Sequence, residues 1–288
     1  MNQKEQSGYL YVVISSVAYG TMPLLANLAY AAGFNTYMVA MGRFFFGFLF
    51  ILTAGLIAGK KIRLAKENIP SLIILSLINT SVPICLYASY RYIDTGLATV
   101  LHFTYPLSAL LILAVFYKEK FSKQTVLSVM LCLCGIFLTY NPTGKINIKG
   151  MGLALLSGLL WALYMTTLDH SPLKKTDSLV LTCFLLGADF LETLLFSLLS
   201  KTFQIPPSFS SLLPLIGIGF FATILGFFFF QKGLLLCGSM KASLFSTLEP
   251  VVCILIGIII LHETMTIRSF ASILLILGST FLVINYQK

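Results

Sequence analysis

Five ionisable side chains fall inside stretches that are otherwise almost wholly apolar: Arg43, His102, Asp189, Glu192 and Glu249. A charge in hydrocarbon is costly, so such groups face a bundle interior or a wet cavity. Arg43 carries a planar fork of donors that matches a carboxylate or phosphate; a structural pair with a neighbouring carboxylate or carbonyl is its other use. Asp189 and Glu192 share a helix face at a spacing of three. Two carboxylates at close quarters in low dielectric resist being ionised together, which suits a coupling proton or a cation. An ion pair from Asp189 to Arg43 is the plainer alternative. Glu249 precedes Pro250, where the missing N–H frees a carbonyl and kinks the helix beside a polar group. His102 lies one turn before Pro106, and an imidazole titrates near neutrality; a hydrogen-bonding role in packing is its simpler reading. Tyr19, Tyr87, Tyr90, Trp161 and Tyr164 could wall a cavity for an aromatic or cationic ligand, although with 24 Phe and 13 Tyr most rings must simply pack.

The elements that hold these groups follow from composition. In 288 residues, 58% are hydrophobic and 10% charged, with a mean hydropathy of +0.93. A soluble domain carries about 25% charged residues, so the chain is an all-α polytopic membrane protein. Its net charge of +9 does not mark a nucleic-acid binder, because the basic residues are scattered through short links and form no basic face. No phosphate-cradling glycine loop is present, which excludes ATP hydrolysis by this chain. Metal and disulfide spacings are absent among the six cysteines, which fall inside apolar runs as small fillers. No cofactor is expected.

At about 20 apolar residues per bilayer crossing, ten segments qualify: roughly 8–30, 36–58, 69–92, 97–117, 124–140, 150–168, 179–200, 211–231, 240–261 and 268–286. The first is read as a retained span rather than a cleaved leader. A cytoplasmic N-terminus puts Lys60, Lys61, Arg63, Lys66, Lys118, Lys120, Lys123, Lys174 and Lys175 in inside links, and leaves Arg91, Lys145, Lys149, Lys201 and Arg268 outside. This bias predicts both termini in the cytoplasm.

The second half repeats the first at a shift of 144 residues: Pro106 falls on Pro250, Glu119 on Glu263, and Ala98, Ser128 and Phe137 on Ala242, Ser272 and Phe281. Five spans per copy is an odd number, so residues 1–141 and 142–288 are expected to be two five-helix repeats of opposite topology around a central cavity, an arrangement suited to alternating access. Pro23, Pro106 and Pro250 should kink the helices that carry them. Glu119 and Glu263, at span ends, are expected to cap or tether hairpins, and Lys232 and Lys241 to snorkel to the cytoplasmic surface.

Tyr19-Gly20-Thr21-Met22-Pro23, Arg43-Phe44, the run from Gly96 through Tyr105-Pro106 to Glu119, Trp161-Ala162, Leu248-Glu249-Pro250-Val251 and Glu263 together resemble the EamA branch of the drug/metabolite transporter superfamily. Tyr37 and Tyr19 stand where Pro and Trp are frequent in that family. The resemblance implies a carrier of small organic molecules in the cell membrane. An Arg and acidic groups on one cavity suit an amino acid or similar zwitterion, with proton coupling through Asp189 and Glu192. The alternatives are a proton-coupled efflux carrier for drugs or organic cations, an intramembrane enzyme acting on a lipid phosphate through Arg43, His102 and Glu249, and a non-transporting scaffold. A small-molecule substrate and the lipid bilayer are the expected partners, and a homodimer is compatible with the sequence.

Overall fold

The structure is a computed structural model that describes residues 3–139, 147–206, 208–260 and 266–285. Among these the chain is all helix. In the first half, α1 (Gln3–Tyr19) and α2 (Met22–Ala31) form a broken rod, followed by α3 (Thr36–Ile57), α4 (Ile69–Ser89), a second broken rod of α5 (Thr95–His102) and α6 (Tyr105–Phe116), and α7 (Lys123–Thr139). The second half has α8 (Ile148–His170) and α9 (Ser178–Leu199). Next, α10 (Leu213–Ile218) passes through a π-helical stretch, Gly219–Phe228, into α11 (Phe229–Cys237). A broken rod of α12 (Ser239–Ser246) and α13 (Glu249–Ile260) and then α14 (Ile267–Asn285) complete it.

Among the described residues seven stretches are long and apolar enough to cross a bilayer: Gln3–Ala31, Thr36–Ile57, Lys66–Ser89, Thr95–Phe116, Ile148–His170, Ser178–Leu199 and Ser210–Cys237. Two further apolar helices, Lys123–Leu138 and Ile267–Leu282, are shorter. The chain is thus a multi-pass membrane protein. Its surface is apolar, with Leu10, Leu24, Ile57, Leu191 and Leu199 facing outward, while small polar residues such as Ser16, Thr166, Thr182, Thr193 and Ser197 are buried. Those hydroxyls donate back to carbonyls of their own helices, as Thr166 does to Ala162 at 2.9 Å and Thr193 to Asp189 at 2.8 Å. Small residues let helix backbones approach where no hydrophobic effect drives association.

Proline accounts for the breaks. Pro23 lies in the first turn of α2, just after the break at Gly20 and Thr21. Pro106 and Pro250 are each the second residue of their helices. The turns before them match: Phe103 has φ −68° and ψ 7°, and Thr247, 144 residues on, has φ −70° and ψ 1°. Pro106 has no N–H to give the His102 carbonyl, and Pro250 none for Ser246. In each case a helix of the other half meets the freed oxygen. Gly158 of α8 lies so close to the His102 carbonyl that a Cβ there would sit 2.4 Å from it. Ser16 of α1 places its hydroxyl 3.3 Å from the Phe245 carbonyl and 3.4 Å from that of Ser246.

The halves interlock: α3 packs on α9, α1 on α11, α4 on α8 and α7 on α14. At one end of the α3–α9 pair, Asn35 donates to the Thr202 carbonyl at 2.6 Å. At the other, Lys60 pairs with Asp177 at 2.5 Å, so α3 and α9 run antiparallel. Asp177 also caps α9 by accepting from Leu179 N at 3.0 Å, and the Lys60 ammonium holds its carboxyl below the usual carboxylate range. Gly8 abuts Leu236 and Cys237, Gly233 abuts Val12 and Gly226 abuts Tyr19, which makes α1 antiparallel to the rod ending in α11. Gly150 at the start of α8 meets Tyr92 and Ile93 just beyond α4, the same arrangement carried into the other half.

One end of the bundle is tied by polar groups. Glu5 pairs with Lys241 and accepts from Tyr9 Oη at 2.8 Å, and Tyr9 stacks on Phe245 at 4.4 Å. Asp169 pairs with Lys174 at 2.6 Å and accepts from Ser239 N at 2.7 Å. Lys241 therefore does not simply snorkel; it tethers α12 to α1. Lys232 lies 4.3 Å from the Tyr11 ring centroid. Glu119 meets His170 at 3.1 Å, a tether from the end of α6 to the end of α8. Its counterpart Glu263 lies outside the described residues.

Because the oxygen facing Gly158 belongs to backbone, a methyl there has nowhere to go. Gly158→Ala should destabilise the protein by about 1–3 kcal/mol through overpacking, read as a lowered thermal unfolding midpoint in detergent. Gly152→Ala, with nothing within 4 Å of the added carbon, should leave the midpoint unchanged or raise it.

Candidate functional site

Three broken rods and the helices around them converge on one cavity. Tyr19, Arg43, Tyr90, His102, Trp161 and Glu249 all line it, drawn from both halves of the chain.

Arg43 is 6% exposed, reaches the cavity from α3 and is held weakly. One terminal nitrogen donates to Tyr19 Oη at 3.4 Å; the other lies 3.8 Å from Met22 Sδ. The guanidinium carbon is 5.7 Å from the ring centroids of both Tyr19 and Phe44, a cation–π arrangement. Nε has no partner. No carboxylate stands within ion-pair distance of Arg43 among the described residues. Glu249 opens α13 on the cavity wall. Its carboxylate has no hydrogen bond or ion pair among the described residues. The cavity therefore holds one cationic and one carboxyl side chain that face each other without a direct ion pair.

His102 ends α5, and its Nδ1 lies 2.9 Å from Ser157 Oγ on α8. The Ser157 hydroxyl donates to the Ala154 carbonyl at 2.6 Å. Its one proton is thus committed, so it accepts from Nδ1–H and leaves Nε2 with a lone pair. The same logic orients a second contact: Ser246 donates to the Ser243 carbonyl at 3.0 Å and accepts from Tyr105 Oη at 2.6 Å. That bond joins the two proline-broken rods.

Other expected wall residues lie behind the wall. Tyr87 and Tyr164 are fully buried; among the described residues the Tyr164 hydroxyl has no partner, while the Tyr87 phenol lies beside the Arg43 guanidinium. Trp161 stacks on Tyr164 at 5.3 Å and 14°, which presents the indole to the cavity and keeps the phenol out of it. Asp189 and Glu192 also lie outside the lining. Asp189 accepts from Asn79 Nδ2 at 2.6 Å and Thr80 Oγ1 at 3.1 Å, and Glu192 accepts from Ser76 Oγ at 2.6 Å. These α4 donors, rather than an ion pair with Arg43, satisfy Asp189. Glu192 Oε2 is buried without a partner. Asn79 both lines the cavity and holds Asp189, so it links the acid pair to the site. The sequence reading passed over Asn79, Thr80, Ser157 and Ser246. A signal existed for the first two, an adjacent polar pair in the middle of an apolar helix and one turn before Pro83.

A profile of the EamA-like transporter family matches the chain twice, over residues 6–141 and 148–285. The chain is 29% identical over 244 residues to an uncharacterized transporter of Archaeoglobus fulgidus, covering 80% of this chain and 82% of that protein. Identity to an uncharacterized transporter of Clostridium kluyveri is 23% over 297 residues, covering 98% and 94%. A solved crystal structure shares the fold with a TM-score of 0.81 at 16% identity, over 96% of both chains. The two profile matches span nearly the whole sequence, over an apolar multi-pass bundle that encloses a cavity: this chain belongs to the EamA-like transporter family.

Proposed function

We propose that the protein is a secondary carrier for a zwitterionic metabolite of amino-acid type, working by alternating access across the cytoplasmic membrane. The observation that carries this reading is the pair of oppositely charged side chains, Arg43 and Glu249, that line one cavity without a direct ion pair. A ligand carboxylate completes Arg43 and a ligand ammonium completes Glu249. A plain cation or anion leaves one buried charge unmatched, at a cost that disfavours it. The aromatic faces of Tyr19, Tyr90 and Trp161 suit an apolar or aromatic side chain between the two charged ends.

Alternating access rests on an architecture of ten membrane helices in two inverted halves, residues 1–141 and 142–288. Three features support it: the 144-residue repeat, the two family matches, and the antiparallel pairing of α3 with α9, the second helices of their halves. An odd number of crossings per half places both termini on one side, and the basic links place that side in the cytoplasm. Asp189 with Glu192 supplies a titratable pair that senses the cavity through Asn79, a basis for proton coupling.

Topology is checked with single cysteines on a cysteine-free background in intact cells. A membrane-impermeant maleimide should label position 149 and spare position 63; the reverse labelling, or labelling of both, sinks the arrangement. Function is checked by uptake into liposomes against a panel of amino acids, polyamines and organic cations. Arg43→Gln and Glu249→Gln should each lower kcat/KM by about 10- to 100-fold, the worth of one charged hydrogen bond. Transport of organic cations alone, unchanged by Arg43→Gln, would replace the zwitterion reading with a cation-efflux one.

A further inference from the structure

The repeat carries one contact into another. Ser246 lies 144 residues after His102, and Glu249 lies 144 residues after Tyr105. The image of the Tyr105–Ser246 hydrogen bond, on exchanging the halves, is therefore a contact between Glu249 and His102. In this structure the first is made, at 2.6 Å. The second is not: His102 bonds Ser157 through Nδ1 and Glu249 is unpartnered. A carrier made of two inverted halves reaches its opposite-facing state by exchanging the conformations of those halves.

We propose that Glu249 and His102 form a proton-binding site that closes in the opposite-facing state, as Tyr105 and Ser246 part. This rests on the inverted-repeat reading above, and is independent of which substrate the cavity takes. The proton count follows from the hydroxyl relay. Ser157 accepts from Nδ1–H, so Nε2 presents a lone pair, and an ionised Glu249 presents only lone pairs. Two acceptors repel. The contact forms only by taking one proton from the water on the exposed side, held between a Glu249 oxygen and Nε2, and releases it when the contact opens.

The surroundings fit this role. Arg43 on α3 is the charged group facing Glu249, with the phenols of Tyr19 on α1, Tyr87 and Tyr90 on α4 and Tyr105 on α6 around it. In the present state Arg43 compensates the open carboxylate at a distance. In the other state the shared proton does so. Asp189 and Glu192 on α9 face one another and the α4 donors, a separate titratable pair.

The test uses the full chain in lipid nanodiscs without substrate. A cysteine replacing Thr99, which lines the cavity, reports conformation through its labelling rate with an impermeant maleimide. Tyr105→Phe removes the bond of the present state and His102→Ala the contact of the other, so the two should shift the rate in opposite directions, by about three- to tenfold each. In the otherwise unchanged chain the rate should depend on pH, with the populations changing by up to about tenfold per pH unit, the limit for one linked proton. Acid should shift the rate in the same direction as Tyr105→Phe. Glu249→Gln donates to Nε2 through its amide without a proton, and should keep the opposite-facing population while abolishing the pH response. Shifts in the same direction for Tyr105→Phe and His102→Ala overturn the proposal. So does a pH response that survives His102→Ala and is lost in Asp189→Asn, which would put the proton on the acid pair. Failure of the topology labelling at positions 63 and 149 removes the inverted repeat itself and is read separately from these rates.

Discussion

A proline in an apolar helix leaves one carbonyl without its N–H, and in a medium without water that oxygen must be met by something else. At Pro106 and Pro250 the carbonyls concerned are those of His102 and Ser246, and each lies against a helix of the other half. Gly158 of α8 gives way to the His102 carbonyl by having no side chain, and Ser16 of α1 brings a hydroxyl to the carbonyls of Phe245 and Ser246. The two breaks thus determine which helix each half leans on. They also set Tyr105 and Glu249, the residues just before the prolines, on the lining of the cavity.

The cavity between the breaks is chemically unfinished. Many of the other buried polar groups have local partners: Thr166 and Thr193 return to carbonyls of their own helices, Asp189 takes Asn79 and Thr80, and Lys241 takes Glu5. Arg43 has a long contact to the Tyr19 phenol, a thioether, two aromatic faces and the neighbouring Tyr87 phenol. A thioether is a weak acceptor, so a carboxylate entering the cavity meets little competition for the guanidinium.

Much of this was legible in the sequence because the membrane permits few exceptions. Arg43, His102 and Glu249 stood out as polar atoms in apolar runs, and all three line the cavity. Helix ends agreed within a few residues for α3 and α9, where Asn35 and Asp177 cap the starts. The rest depended on side-chain direction, which spacing alone does not give. Tyr87 and Tyr164 share helices with wall residues yet are themselves fully buried and do not line the cavity. Asp189 and Glu192 were correctly placed on one helix face, but that face turns to α4, where Ser76, Asn79 and Thr80 wait as donors. Those three are ordinary residues in composition. Their importance lies in which carboxylate they touch, a fact of tertiary packing. The break at Gly20 and Thr21 follows from Pro23, yet the corresponding helix of the second half, α8, has no proline there and runs straight, so the repeat overstates the likeness of the halves.

The interlocking of the helices bears on how such a chain could have arisen. α1 has its close-packed partner in α11, α3 in α9, α4 in α8 and α7 in α14, so each of these contacts joins one half to the other. A polypeptide carrying only one half would bury none of these faces by itself. It would become stable by mating with another copy, and since α3 and α9 run antiparallel, that copy would have to enter the bilayer the other way up. A single gene feeding such an assembly must insert its product in both orientations. Joining two copies in one chain removes that requirement, and leaves each copy free to acquire residues, such as Glu249 opposite Tyr105, that a true pair of identical subunits could never keep different.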